Sequence, residues 1–308
     1  MSYVPLILTT GIWIIVLPGC LYKSPGHATK ILVIKAEKQN ETTQTVQPPA
    51  INVWIHGTRL FPSQILKSFF YAHPGLSHYS KLDPEYHIRT IADTLIASNP
   101  QMFPAETFYL FGWPGKLNFT QREEMAEQLY NQLQPIIDEY QKKYGVYPFI
   151  RLLAHSHGGN VALNLALPAH AHEKPFEIAE LILLACPVQK RTMHLIDDPI
   201  FKKIYALYSR LDLLQVVDPQ GLYKGKQKSK LFSDRCFNPH SKLTQVKIKM
   251  NGRAIMHVEF ILAPFLKNLA AVIEELESWE QVGMQQYKNW ACVTKLLAIY
   301  TNGRKVKK

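Results

Sequence analysis

Ala154-His155-Ser156-His157-Gly158-Gly159 is the stretch that decides the reading of this chain. Before it, Tyr147-Pro148-Phe149-Ile150-Arg151-Leu152-Leu153 has the apolar character of a short buried strand. After it, Asn160-Val161-Ala162-Leu163-Asn164-Leu165-Ala166 has the character of a helix. A serine between small residues at a strand-to-helix turn forms a nucleophile elbow. Such a turn needs strained backbone angles, and small residues at −2 and +2, here Ala154 and Gly158, make room for it. The turn lifts the hydroxyl above the sheet edge, and the helix start behind it favours developing negative charge.

A second loop supports the first. Ile51-Asn52-Val53-Trp54-Ile55 is an apolar strand that runs straight into His56-Gly57-Thr58. An oxyanion needs two backbone N–H donors converging on one point. The residue after the nucleophile, His157, supplies one. Gly57 lets the second loop turn tightly, which makes Thr58 N–H the other candidate donor.

With these two loops the chain resembles the α/β-hydrolases of lipase/esterase type. The residues that carry the resemblance are His56-Gly57-Thr58, Phe111-Gly112-Trp113-Pro114-Gly115, Ala154–Gly159, Tyr208-Ser209-Arg210-Leu211-Asp212 and Met256-His257. They span residues 50–280. The resemblance implies an α/β fold with a mostly parallel central sheet and helices on both faces. It also implies a Ser-His-Asp triad, and no cofactor or metal. Only Ile31-Leu32-Val33-Ile34 precedes the His-Gly strand as a further strand, so the family's leading antiparallel strands have little sequence to come from.

Triad partners on that fold follow in the order Ser, Asp/Glu, His. Ile204-Tyr205-Ala206-Leu207-Tyr208 is a candidate strand, and Asp212 lies just past its C-terminal end, where parallel sheets present functional groups. Asp218, in Val216-Val217-Asp218-Pro219, is the alternative acid, although aspartate before proline suits a turn. Leu243–Met250 alternates apolar and polar residues as a last strand, and Asn251-Gly252 makes a turn. His257 follows, ahead of a helix starting near Val258, and is the candidate base. The catalytic set is therefore Ser156, Asp212 and His257, with Thr58 and His157 as oxyanion donors. His155 is expected beneath the elbow and His157 in the pocket wall. The pairs His155/His157 and His170/His172 lack any accompanying carboxylate or cysteine cluster, so neither is read as a metal site.

The implied reaction is hydrolysis of a carboxylic ester with a small-molecule or lipid-like acyl substrate. The same groups would serve an acyltransferase, thioesterase or peptidase, and a catalytically idle binding fold is a further alternative.

The chain has 308 residues, a net charge of +11 and 47% hydrophobic residues, enough for one catalytic domain with appendages. The charge favours anionic partners, including anionic membrane faces. No nucleic-acid motif accompanies it. The four cysteines, Cys20, Cys186, Cys236 and Cys292, are too scattered for a disulfide framework, and a Cys236–Cys292 bridge is left open.

Residues 1–20 form a signal or lipoprotein-type segment. The apolar run Val4–Leu17 is short for a membrane span and fits a secretory core. Leu17-Pro18-Gly19-Cys20 partly matches a bacterial lipobox, which makes Cys20 a candidate lipidation site and points to an exported or membrane-anchored protein. An uncleaved anchor, an ordinary signal and a cytoplasmic protein are the alternatives. Residues 21–49 read as a linker with one short strand, their polar end 37–49 as a flexible tether.

Six strands, near 51–56, 107–111, 149–153, 179–186, 202–208 and 243–250, alternate with helical patterns. One helix is expected at 121–144, capped by Thr120 with Glu123 and ended by Gly145. Another is expected at 258–278, with Pro264 kinking or delaying its start. The connection 59–106 is either a cap or lid, lined by Phe69-Phe70-Tyr71, or a helical excursion packed on the core. Residues 281–308 read as a helix with a basic tail, on the spacing of Met284, Tyr287, Trp290, Val293, Leu297 and Tyr300.

Overall fold

A computed structural model describes residues 29–33, 48–58, 73–173, 175–212, 237, 238, 240–286 and 295–300. In chain order the strands are β1 (Thr29–Val33), β2 (Ile51–Ile55), β3 (Gly75–His78), β4 (Phe108–Gly112), β5 (Ile150–His155), β6 (Glu180–Leu184), β7 (Ile204–Tyr208), β8 (Leu243–Met250), β9 (Arg253–Ala254) and β10 (Lys295–Tyr300). They join one sheet in the order β1-β10-β8-β7-β6-β5-β2-β4-β3, with β9 folded back on β8. Only β3 and β9 run antiparallel. The six strands expected from the sequence are β2, β4, β5, β6, β7 and β8, each displaced by at most two residues at either end.

β2, β5 and β6 are buried along their whole length. That is why their apolar residues do not alternate with polar ones and only Asn52, Arg151, His155 and Glu180 interrupt them, since a central parallel strand is covered on both faces. Along β5, Ile150, Leu152 and Ala154 face one core, and Leu153 faces the other. The first core is closed by α2 (Phe119–Tyr144) through Leu129, Leu133 and Ile137. The second is closed by α1 (His87–Ser98) through Ile91 and Leu95, and by α6 (Leu269–Gln286) through Leu269, Val272 and Leu276. Helices on both faces of a mostly parallel sheet are the α/β arrangement that the sequence implied.

Several expectations need correction. α2 starts at Phe119 and is capped by Asn118, whose side chain accepts from Gln121 N–H at 3.1 Å. Thr120 lies inside the first turn, because the chain leaves its extended path two residues earlier than the Thr120–Glu123 pattern indicated. Gly145 ends the helix in the left-handed region, as expected. The helix after His257 is broken into a 3₁₀ turn (His257–Ile261), a short α5 (Ala263–Leu266) bearing Pro264, and α6.

At the C-terminal end, Lys295–Tyr300 is a strand rather than a continuation of the helix. Its apolar residues share a helical spacing with Met284, but pairing with β8 and β1 satisfies the backbone of two further strands. Thr29–Val33 supplies the early strand at this same far edge, parallel to β10. The place beside β4 is taken instead by β3, which follows the His-Gly strand in the chain. Within 59–106, the part from His73 onward packs on the core through α1. The aromatic stretch Phe69-Phe70-Tyr71 lies outside the described residues.

Candidate active site

β5 ends at His155, and Ser156 turns the chain with φ of +53°. For a residue with a Cβ, this left-handed conformation costs about 1–2 kcal/mol. The ladder still reaches it, since Ser156 N–H donates to Leu184 O at 2.9 Å. The next turn closes at once, with Gly159 N–H donating to Ser156 O at 2.9 Å, and α3 (Gly158–Leu163) begins, followed by the short α4 (Ala166–Ala169). The demand for glycine at 158 comes from close approach. A Cβ there would sit 2.4 Å from His56 O and 2.6 Å from Ile55 O. A Cβ on Gly159 would sit 2.4 Å from Cys186 Sγ. The elbow is thus pressed against the end of β2.

The His-Gly loop lies on the same spot. A Cβ on Gly57 would stand 2.7 Å from Ser156 Cβ. Trp113 N–H donates to His56 Nε2 at 3.1 Å, so the His56 proton sits on Nδ1, which donates to Gly57 O at 2.7 Å. Trp113 Nε1–H donates back to His56 O at 2.7 Å, and the two rings stack at 5.7 Å. In a trans peptide the carbonyl and the following N–H point oppositely. Holding the Gly57 carbonyl to the His56 ring therefore turns Thr58 N–H away from that ring. Thr58 is buried. The Phe111–Gly115 stretch, whose purpose the sequence left unstated, buttresses this loop through Trp113.

Asp212 follows β7 at the end of a tight turn, its N–H donating to Ser209 O at 3.2 Å. It is fully buried. His257 Nδ1–H donates to its two carboxylate oxygens, at 2.8 and 2.9 Å. That bond leaves Nε2 as the free acceptor of the imidazole, the state required of a general base. Of the two candidate acids, Asp212 is the one against His257. Asp218 lies outside the described residues.

Three residues that position this pair went unnoticed in the sequence. Ser209 Oγ accepts from Ile255 N–H at 3.0 Å and so ties the acid loop to the base loop. Glu259 accepts from Met256 N–H at 2.6 Å and is gripped by Arg253, with Nη1 at 2.9 Å. The Arg253 hydrogen bond holds the Glu259 carboxyl below its usual range. None of the three has a local signature. A serine in a turn and an Arg/Glu pair around a histidine are ordinary on their own.

His155 is buried beneath the elbow, as expected, with its ring 4.7 Å from that of His257. The elbow and the base-bearing turn are therefore in direct contact. His157 is also buried, and Asn160 Nδ2 lies 3.5 Å from its Nδ1. Of the other His-x-His pair, His170 bonds Asp198 at 2.5 Å and His172 stacks on Tyr130 at 4.6 Å. Cys186 is buried, and its Sγ accepts from Asn160 Nδ2 at 3.7 Å. Cys20, Cys236 and Cys292 lie outside the described residues. Around the pair, Leu211, Met256 and Val258 are 49%, 53% and 43% exposed, an apolar rim flanking both Asp212 and His257.

No protein-family model matches the chain. No curated protein matches its sequence. Among solved structures, the product of gene lin2722 from Listeria innocua is similar over 81% of this chain and 98% of its own, at 9% identity and a TM-score of 0.36. A bacterial heroin esterase is similar over 84% of this chain and 67% of its own, at 12% identity and a TM-score of 0.28. Likenesses this distant say nothing about activity, and the fold rests on the sheet itself. That sheet is mostly parallel with helices on both faces, an α/β architecture. Among the described residues, no helix is long and apolar enough to cross a membrane, and no group of three or more His, Cys, Asp or Glu side chains is placed to hold a metal ion.

Proposed function

We propose that this chain is a serine hydrolase that cleaves carboxylic esters through Ser156, His257 and Asp212. The observation that carries the proposal is the buried Asp212–His257 bond on loops that meet the left-handed turn at Ser156. In this reading Ser156 Oγ attacks the ester carbonyl while His257 Nε2 takes its proton. Asp212 keeps the proton on Nδ1 and stabilises the imidazolium. Thr58 and His157 amides hold the oxyanion. His257 then protonates the departing alkoxide, and water activated by the same imidazole clears the acyl-enzyme. No cofactor enters these steps.

The apolar rim of Leu211, Met256 and Val258 favours a lipid-like acyl chain over a charged group. We further propose that the protein is exported and held at a membrane by lipidated Cys20, with the residues between Cys20 and β1 as tether.

A fluorophosphonate probe with peptide mapping tests the chemistry. Labelling at Ser156, together with release of free acid from a nitrophenyl ester, is expected. Absence of labelling on the folded protein overturns the proposal. Transfer of the acyl group to an added alcohol in place of free acid makes it an acyltransferase.

A further inference from the structure

We propose that His155 is a positioning residue, whose buried imidazole, bonded to the His257 carbonyl and set against the His257 ring, holds the base over Ser156. The inference rests on the hydrolase reading above.

His155 is the last residue of β5 and directly precedes the left-handed Ser156. Its Nε2–H donates to His257 O at 3.2 Å. The two imidazoles lie 4.7 Å apart at 53°. Its Nδ1 lies 3.0 Å from where a Gly57 Cβ would be. One ring therefore touches the base-bearing turn and the oxyanion loop, and its own backbone leads directly into the nucleophile. Asp212 holds the same imidazole at Nδ1. The imidazole of His257 is thus fixed by a side-chain bond at one end and by its own backbone at the other.

The titratable groups around His155 are His257, behind it Asp212, and His56 at the end of β2. Burial holds its pKa well below the usual histidine range, and the proximity of His257 lowers it further, against the opposing bond to the His257 carbonyl. His155 therefore stays neutral while its neighbour gains and loses a proton. A leucine would fill the space without the donor. A permanently charged side chain would oppose the imidazolium.

The test is the pH profile of kcat/KM on a nitrophenyl ester, whose acid limb reports the base in the free enzyme. In His155→Leu, kcat should fall about 10–100-fold with KM nearly unchanged. The acid limb should also move about 0.5 pH downward, because a loosened imidazole is held less firmly by Asp212. His155→Gln keeps a donor and should recover most of kcat and the wild-type limb; it also serves if the leucine variant does not fold. His155→Phe keeps the ring without the donor and should resemble leucine. Activity losses that follow melting temperature across the three variants, with an unmoved acid limb, would overturn the proposal. Fluorophosphonate labelling of the wild type separates the two failures. An unlabelled wild type removes the hydrolase reading, whereas a labelled wild type with an unmoved limb removes only the role of His155.

Discussion

Substituting Gly57 with alanine adds one methyl group at the most crowded point of the site. Gly57 has no left-handed φ, so alanine brings no backbone strain there. The effect must come from contact. The new Cβ meets Ser156 Cβ at 2.7 Å, His155 Nδ1 at 3.0 Å and His155 O at 3.3 Å. None of these can swing aside, since each belongs to or borders the elbow. Ordinary contact begins at 3.4 Å, so the loop must retreat about 0.7 Å. Oxyanion donors act over a window of about 0.4 Å, so a retreat of that size takes the Thr58 amide out of range; losing one donor costs about 10²–10³-fold in kcat, or roughly 3–4 kcal/mol. The overpacking should also cost about 1–3 kcal/mol of stability. Nitrophenyl ester kinetics below the melting transition, beside thermal denaturation, measure both. Gly145→Ala is the matched control: φ there is +71° and nothing lies within 4 Å, so about 1 kcal/mol of stability should go without any loss of activity. A Gly57→Ala enzyme with wild-type kcat would refute the placement of the His-Gly loop against the nucleophile.

Ser156→Ala should abolish fluorophosphonate labelling and lower kcat by on the order of 10⁴-fold or more, with the melting temperature barely changed; retained labelling removes Ser156 as nucleophile. Asp212→Asn should lower kcat by roughly 10⁴-fold, because the amide favours the wrong tautomer of His257, and a mild effect would reassign the acid. At the other end of the sheet, burial first, then the hydrogen bond and charge of Glu180, push Glu277 from 4.5 up to about 7, against opposing Lys203 and Arg151. A raised folded pKa gives a contribution fully present below pH 4.5 and lost as pH rises through about 7. Glu277→Gln mimics the protonated form, so its melting temperature should gain on the wild type across that window; a constant difference refutes the assignment. Cys20→Ser should block incorporation of labelled fatty acid and leave a slower-migrating precursor. Unchanged mobility, with no label in the wild type, removes the lipid anchor.

Much of the site was legible in the chain because its chemistry is local. A small-His-Ser-His-Gly run between a strand and a helix describes an elbow wherever it falls. Ser156 and Asp212 each lie just past a parallel strand and His257 follows the short β9 return after β8, so neighbouring strand ends on one side of the sheet present them. What failed were patterns satisfied in two ways. Thr120 with Glu123 makes a good cap, but Asn118 was the residue left extended at the turn. Leu297 and Tyr300 share a helical spacing with Met284, yet the open edge of β8 drew them into a strand.

The amino-acid sequence by itself determined the alternation of strands and helices and marked the candidate nucleophile and candidate base, because periodicity and turn chemistry operate within about ten residues. Only the tertiary structure decided the rest. It placed Asp212 at His257, set the tautomer of His56 through Trp113, clamped the base loop with Arg253 and Glu259, and laid His155 against His257. Those partners stand up to 102 positions apart in the chain. A hydrogen bond between them depends on how the whole sheet is stacked, and no short window of sequence records that.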